Sequence, residues 1–112
     1  MDYALKMVVL PSGVCPFEEW YGSLRDPLAR VAVRRRLARV RAGNMGDARP
    51  VGRGVSELRR DTGPGYRVYL AIVGEAALLL NAGDKSTQQR DIEAARAVLE
   101  VYHGNEGLQR DL

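Results

Sequence analysis

Glu57, Arg59, Arg67 and Tyr69 fall in two short segments, Val55–Arg59 and Tyr66–Val73, separated by the turn-forming run Asp61-Thr62-Gly63-Pro64-Gly65. If the segments are the arms of a hairpin, each sends its side chains to alternate faces with period two. Arg67 and Tyr69 then share one face, with Val68 and Leu70 on the other. With Glu57 and Arg59 on the Arg67 side, one patch of sheet carries two guanidinium groups, a carboxylate and a phenol. A guanidinium is a fixed fork of donors that matches phosphate or carboxylate, and a phenol ring is a platform for stacking a base. The set suits an RNA strand. It also describes a solvated outer face held by an ion pair from Glu57 to an arginine.

A second cluster, Gly83-Asp84-Lys85-Ser86-Thr87-Gln88, has the residue types of a phosphate-binding loop without the GxxxxGK[ST] spacing, and it precedes a C-terminal helix rather than opening a parallel α/β unit. Lys85 beside the free N–H groups of a helix start can still hold a phosphate; a capped helix with an exposed lysine is the plainer reading. Arg34, Arg35, Arg36 and Arg39 suit phosphate contacts that position a protein on RNA without reading sequence, or a solvated helix face. Cys15 and His103 are each single and far apart in the chain, which argues against a disulfide, a multi-histidine zinc site or a Cys–His nucleophile. No metal or cofactor is expected.

Positioning these groups requires the following elements. Tyr3–Leu10 reads as a strand ended by Pro11-Ser12-Gly13. Phe17, Trp20, Tyr21 and Leu24 have the 0, 3, 4, 7 spacing of one face of a short helix. Asp26-Pro27 is a cap followed by a first-turn proline, opening a second helix to about Arg41, with Gly43 and Asn44 to end it. Leu28, Val31, Leu37 and Val40 are its expected core stripe. Asp47–Gly54 holds one weak strand, Val55–Arg59 and Tyr66–Val73 are firmer ones, Gly74-Glu75 is a turn into a strand over Ala76–Asn81, and Ala82–Lys85 is a loop. Ser86 or Thr87 caps a last helix with Ile92, Ala95, Val98, Leu99 and Tyr102 on one face, and the tail from Gly104 to Leu112 is expected to fray. The order predicts an α+β fold in one domain over residues 1–112. It has an N-terminal strand, two helices, a mostly antiparallel sheet of three to four further strands and a C-terminal helix, with one sheet face open or half open.

The 112 residues and 12.4 kDa suit a single core, and no run approaches the roughly 20 apolar residues of a membrane span. The start is too soon interrupted by Pro11 to read as a secretory signal, so a cytoplasmic protein without a membrane partner is expected. Net charge is +3, unevenly placed: Arg25 to Arg60 holds eleven arginines against three acids, a local charge of +8. From Asp84 onward four basic residues face six acidic ones, a local charge of −2. The basic middle attracts polyanions.

Taken in order, Phe17-x-x-Trp20, Leu24-Arg25-Asp26, Arg36-Leu37-x-Arg39-Val40, Gly43-Asn44-Met45-Gly46-Asp47 and Val51-Gly52-x-Gly54-Val55-Ser56-Glu57-Leu58-Arg59 lead into Gly63-Pro64-Gly65-Tyr66-Arg67-Val68-Tyr69 and Gly83-Asp84-Lys85-Ser86-Thr87-Gln88-x-x-Asp91-Ile92. This series resembles the phage-derived addiction module killer proteins of the RelE/ParE toxin superfamily and is similar to HigB toxins. The resemblance implies a RelE-like α+β sandwich and the toxin of a type II toxin–antitoxin pair. In the RelE and HigB branch that means a metal-independent mRNA endonuclease acting on the ribosome; in the ParE branch, a gyrase inhibitor; a module that only binds its antitoxin is a further reading. The implied partners are a helix-turn-helix antitoxin, in a toxin–antitoxin hetero-oligomer, together with the ribosome and mRNA. Carried across, Arg67 matches the strand residue aimed at the scissile phosphate, and Arg59 and Lys85 match further basic positions. Asp91 lies near the place of a late Tyr, His or Asp. No tyrosine or histidine lies between Lys85 and Val101, so Glu57 or Asp91 is the candidate base, with Tyr69 as a substitute.

Overall fold

A computed structural model describes residues 2–60, 65–105 and 107–112. The chain begins with strand β1 (Ala4–Val8) and two helices, α1 (Pro16–Ser23) and α2 (Pro27–Arg41). Four strands follow: β2 (Ala48–Gly52), β3 (Val55–Arg59), β4 (Arg67–Val73) and β5 (Ala76–Gly83). A 3-10 turn, Lys85–Thr87, leads into helix α3 (Gln88–Gly104), and strand β6 (Gln109–Asp111) ends the chain. The boundaries of α2 follow from local chemistry. The Asp26 carboxylate accepts the Leu28 N–H at 2.9 Å, Pro27 opens the first turn, and Gly43 takes a φ of +89° just past the end.

The strands form one six-stranded sheet in the order β2-β3-β4-β5-β1-β6. The neighbours from β2 to β5 are antiparallel, β1 runs parallel to β5, and β6 is antiparallel to β1. Two apolar cores result, one on each face. Phe17 of α1 and Val33, Leu37 and Val40 of α2 pack on Leu5, Met7, Leu58, Val68, Leu70 and Leu79. On the other face Ile92, Ala95, Val98, Leu99 and Tyr102 of α3 cover Val8, Val55, Tyr69, Ala71, Leu78 and Leu80.

This architecture corrects the expected fold in several respects. The sheet has five strands beyond the first, where three to four were expected, and although mostly antiparallel it is mixed, because β1 runs parallel to β5. Neither face of its centre is open, because α3 lies on the side opposite α1 and α2. The reason is visible in β5, whose Ala77-Leu78-Leu79-Leu80 run is apolar without alternation, the mark of a strand buried on both faces. The expected frayed tail contains β6, which ladders onto β1 from Lys6 to Val8. The Ala82–Lys85 loop is shorter than expected, since β5 continues to Gly83. In α2 the buried stripe is Ala29, Val33, Leu37 and Val40, whereas Leu28 and Val31 are exposed. The expected turn at Asp61–Gly65 lies, for residues 61–64, outside the described residues. Among the described residues no helix is long and apolar enough to cross a membrane.

Candidate functional site

Register brings the hairpin residues together. Glu57 of β3 stands opposite Tyr69 of β4, and Arg59 stands opposite Arg67. Tyr69 in turn faces Asn81 of β5, and Arg67 faces Gly83. All four expected side chains therefore lie on one face, the face covered by α3. Glu57 is the centre. Its Oε1 lies 3.2 Å from Arg49 Nε and 3.7 Å from Arg59 Nε, and its Oε2 lies 3.8 Å from Arg67 Nε. Oε2 also accepts from the Tyr69 hydroxyl at 3.1 Å and from Gln88 Nε2 at 2.9 Å.

Burial changes what these residues can do. Glu57 and Tyr69 are both 0% exposed, so neither meets a ligand directly: Tyr69 offers no ring for stacking, and Glu57 is a counter-ion enclosed by donors. Burial, with the Glu57 charge and hydrogen bond next, drives the Tyr69 phenol far above the usual tyrosine range, so it stays protonated. Arg67 is also buried, while the Arg59 side chain keeps 27% of its surface in solvent and Arg49 keeps 51%.

Lys85 joins this corner from the turn just after β5, at the end of the sheet where Gly83 faces Arg67. Gly65 sits at φ +71°, and a Cβ placed there would fall on the Lys85 stem, 2.7 Å from Cδ. The Gly65 carbonyl accepts from Arg67 Nη1 at 2.5 Å. One glycine thus touches both the buried guanidinium and the exposed lysine, and Arg59, Arg67 and Lys85 share one rim. Asp91 lies at the same corner, against Gly83. It is mostly buried, accepts from the Thr87 hydroxyl, and lies 3.8 Å from Arg90 Nε through Oδ1. A Cβ on Gly83 would meet the Asp91 carboxylate, with Cγ at 2.8 Å, so Gly83 leaves the space that Asp91 fills. A bulge at Leu80 of β5, the extra residue between the pairs Tyr69–Asn81 and Leu70–Leu79, lets Leu80 and Asn81 both face α3, and Asn81 Nδ2 donates to the Asp91 carbonyl at 3.1 Å. The turn before α3 is capped by Asp84, not Ser86 or Thr87: its carboxylate accepts from Ser86 N and Oγ at 2.8 and 2.6 Å. The Ser86 side chain is the largest cause holding the Asp84 carboxyl below its ordinary range.

Arg34, Arg35, Arg36 and Arg39 of α2, expected to act together, do not form one surface. Arg36 is half-buried and donates to the carbonyls of Met45, Asp47 and Arg59, the closest at 2.7 Å, so it fastens the α2–β2 loop and the end of β3. Arg34 donates to the Tyr21 hydroxyl at 2.8 Å on the α1 side. Arg35 and Arg39 are exposed on another stripe. Cys15 is buried, and burial pushes its thiol pKa up, away from a reactive thiolate.

Two members of the Glu57 network were not expected from sequence. Arg49 is reached by counting back through the tight β2–β3 connection, which sets Arg49 opposite Glu57. Gln88 stands on α3, 31 positions from Glu57, and no local pattern points to it.

No family model matches the chain. It is similar to an "Uncharacterized protein" of Haemophilus influenzae (strain ATCC 51907 / DSM 11121 / KW20 / Rd), with 43% identity over 81 residues that cover 71% of this chain and 82% of the relative. The chain belongs to the family of that protein. Membership of this family is kinship of fold, and its chemistry must be argued from the side chains.

Proposed function

We propose that the protein is the toxin of a type II toxin–antitoxin pair, an endonuclease that cuts mRNA on the ribosome without a metal. The observation that carries this reading is the shared rim of Arg59, Arg67 and Lys85, three cations from β3, β4 and the turn after β5, beside the carboxylate of Asp91. In the reaction the RNA 2′-oxygen forms a bond to the adjacent phosphorus and the bond from phosphorus to the 5′-oxygen breaks. The 2′-hydroxyl proton passes to a base, and the departing oxygen takes up a proton. Lys85 and Arg59 contact the phosphate from the exposed side and stabilise the charge that builds there, and Arg67 adds its field from beneath. Asp91 is the base in this reading, since Glu57 and Tyr69 are fully enclosed and act as positioning residues. Exposed Arg34, Arg35 and Arg39 remain available to ribosomal RNA. A helix-turn-helix antitoxin is the proposed partner, and the cytoplasm, where ribosomes are, the proposed location.

The test is to induce the protein in cells and follow labelled methionine, thymidine and uracil. Methionine incorporation should stop first. Because Lys85 is exposed, Lys85→Ala should leave the fold intact and lower the cleavage rate on the order of 100-fold. If DNA synthesis stops first, the activity is gyrase inhibition; growth arrest undiminished by Lys85→Ala and Arg59→Gln means the rim is not the site.

A further inference from the structure

Leu5 and Met7 of β1, Phe17 of α1 and Leu37 of α2 are each only 1% to 6% exposed, yet all four border a cavity of about 370 Å³. The cavity therefore reaches from the surface into the core between the sheet and its first two helices. Protein interiors pack to crystal-like density, and voids much larger than a water molecule are few. An apolar floor gives water too few hydrogen-bonding partners, so such a space favours an apolar occupant. A water's share of the liquid is about 30 Å³ and a methylene group's is similar, so this volume accepts an unbranched chain of about eight to ten carbons with a small polar head.

The mouth sets the charge of that head. Its polar side chains are Glu18, Tyr21, Arg34 and Arg41. Three of them are already engaged: Glu18 is paired with Arg110 at 2.6 Å, and the Tyr21 hydroxyl accepts from Arg34 Nε at 2.8 Å while donating to the Arg30 carbonyl at 3.3 Å. Arg41, in the last turn of α2, is exposed and forms no ion pair with any described residue. One guanidinium without a counter-ion complements one negative charge, and it binds a carboxylate through charge-assisted hydrogen bonds. A doubly charged head such as a phosphate monoester would be repelled more strongly by the Glu18 carboxylate at the same mouth, and a neutral head would leave Arg41 unused.

We propose that this cavity binds a medium-chain monocarboxylic acid, free in solution, with its hydrocarbon tail on Phe17, Leu37 and the β1 side chains and its carboxylate on Arg41. Small-molecule sites are built in this way, with a concave, mostly apolar interior and a few placed polar groups. The nuclease reading plays no part in it. The cavity opens on the α1 and α2 side of the sheet, whereas Arg59 and Arg67 lie on the side covered by α3, and Arg34 enters only as a wall.

Trp20, the one tryptophan of the chain, has its ring centre 5.9 Å from that of Phe17, so its fluorescence reports occupation of the cavity. The intact protein is titrated with sodium decanoate below the concentration at which micelles form, and isothermal titration calorimetry gives the stoichiometry. One decanoate should bind per chain, and butyrate and decan-1-ol should each bind more weakly by about tenfold or more. Arg41→Gln should weaken decanoate by about tenfold or more and leave decan-1-ol unchanged, while Ala38→Phe, which sets a ring into the opening, should weaken both. Both substituted side chains are exposed, so the folded state is retained, and far-UV circular dichroism verifies this. Absence of saturable binding, decan-1-ol binding as tightly as decanoate, or decanoate affinity unaltered in Arg41→Gln each overturns the proposal. So does full decanoate affinity in Ala38→Phe, which would put the acid elsewhere on this basic molecule.

Discussion

Removing the charge of Glu57 would take away the buried anion that offsets the mutual repulsion of Arg49, Arg59 and Arg67. A buried ion pair adds little net stability over an apolar replacement, but loss of one partner strands the others. Glu57→Gln should therefore cost about 3 kcal/mol in urea unfolding at neutral pH. It should also free the exposed guanidinium groups of Arg49 and Arg59 to move. Tyr69→Phe removes one donor to the same carboxylate and should cost about 2 kcal/mol. The phenol gives a pH signature as well. Its folded pKa is raised, so its contribution to stability is complete below the unfolded value of about 10 and is lost as pH climbs beyond it. The urea midpoint should fall above about pH 10 in the unaltered protein and fall less steeply in Tyr69→Phe. Phenolate absorbance should show one of the five tyrosines ionising only with unfolding.

At the scale of elements, the helix starts and the closing of the sheet corner are the points to test. Asp26→Ala deletes the cap of α2 and should cost about 1 kcal/mol by thermal or urea unfolding, without altering the cation rim. Gly65→Ala forces a side chain into a left-handed conformation and onto the Lys85 stem. It should cost about 1 kcal/mol and also displace Lys85, so the RNA cleavage we propose should fall further than the stability change explains. The elements whose signals are local were legible in sequence: the Asp26-Pro27 start of α2, the Phe17 face of α1, the hairpin strands, and the shared face of Glu57, Arg59, Arg67 and Tyr69. What was not legible depends on which face meets which neighbour. Leu28 and Val31 fit a helical stripe as well as Ala29 and Val33 do, and the larger side chains were the natural choice for the core. The sheet itself decided against them. Arg36 looked like its neighbours Arg34 and Arg35, yet three carbonyls made it structural, and carbonyls leave no trace in a sequence pattern. The burial of Glu57 required knowing that α3 crosses over it.

Over the whole molecule, charge and connectivity are separable. The basic middle of the chain supplies Arg59 of the cation rim and the exposed α2 arginines, while Arg67 and Lys85 come from downstream of it. Binding of a uridine oligomer should weaken steeply with salt, and Arg59→Gln should reduce the slope of log K against log salt by about one. Connectivity has a different consequence. Strand β1 is seated between β5 and β6, both far downstream of it, with Ala4 paired to Ala76 and Lys6 to Asp111. During translation β1 can pack on α1 and α2 but cannot enter the sheet until β5 has emerged, and sequence-distant pairings of this kind form late and slowly. A nascent chain halted before β5 should therefore be a ready protease substrate.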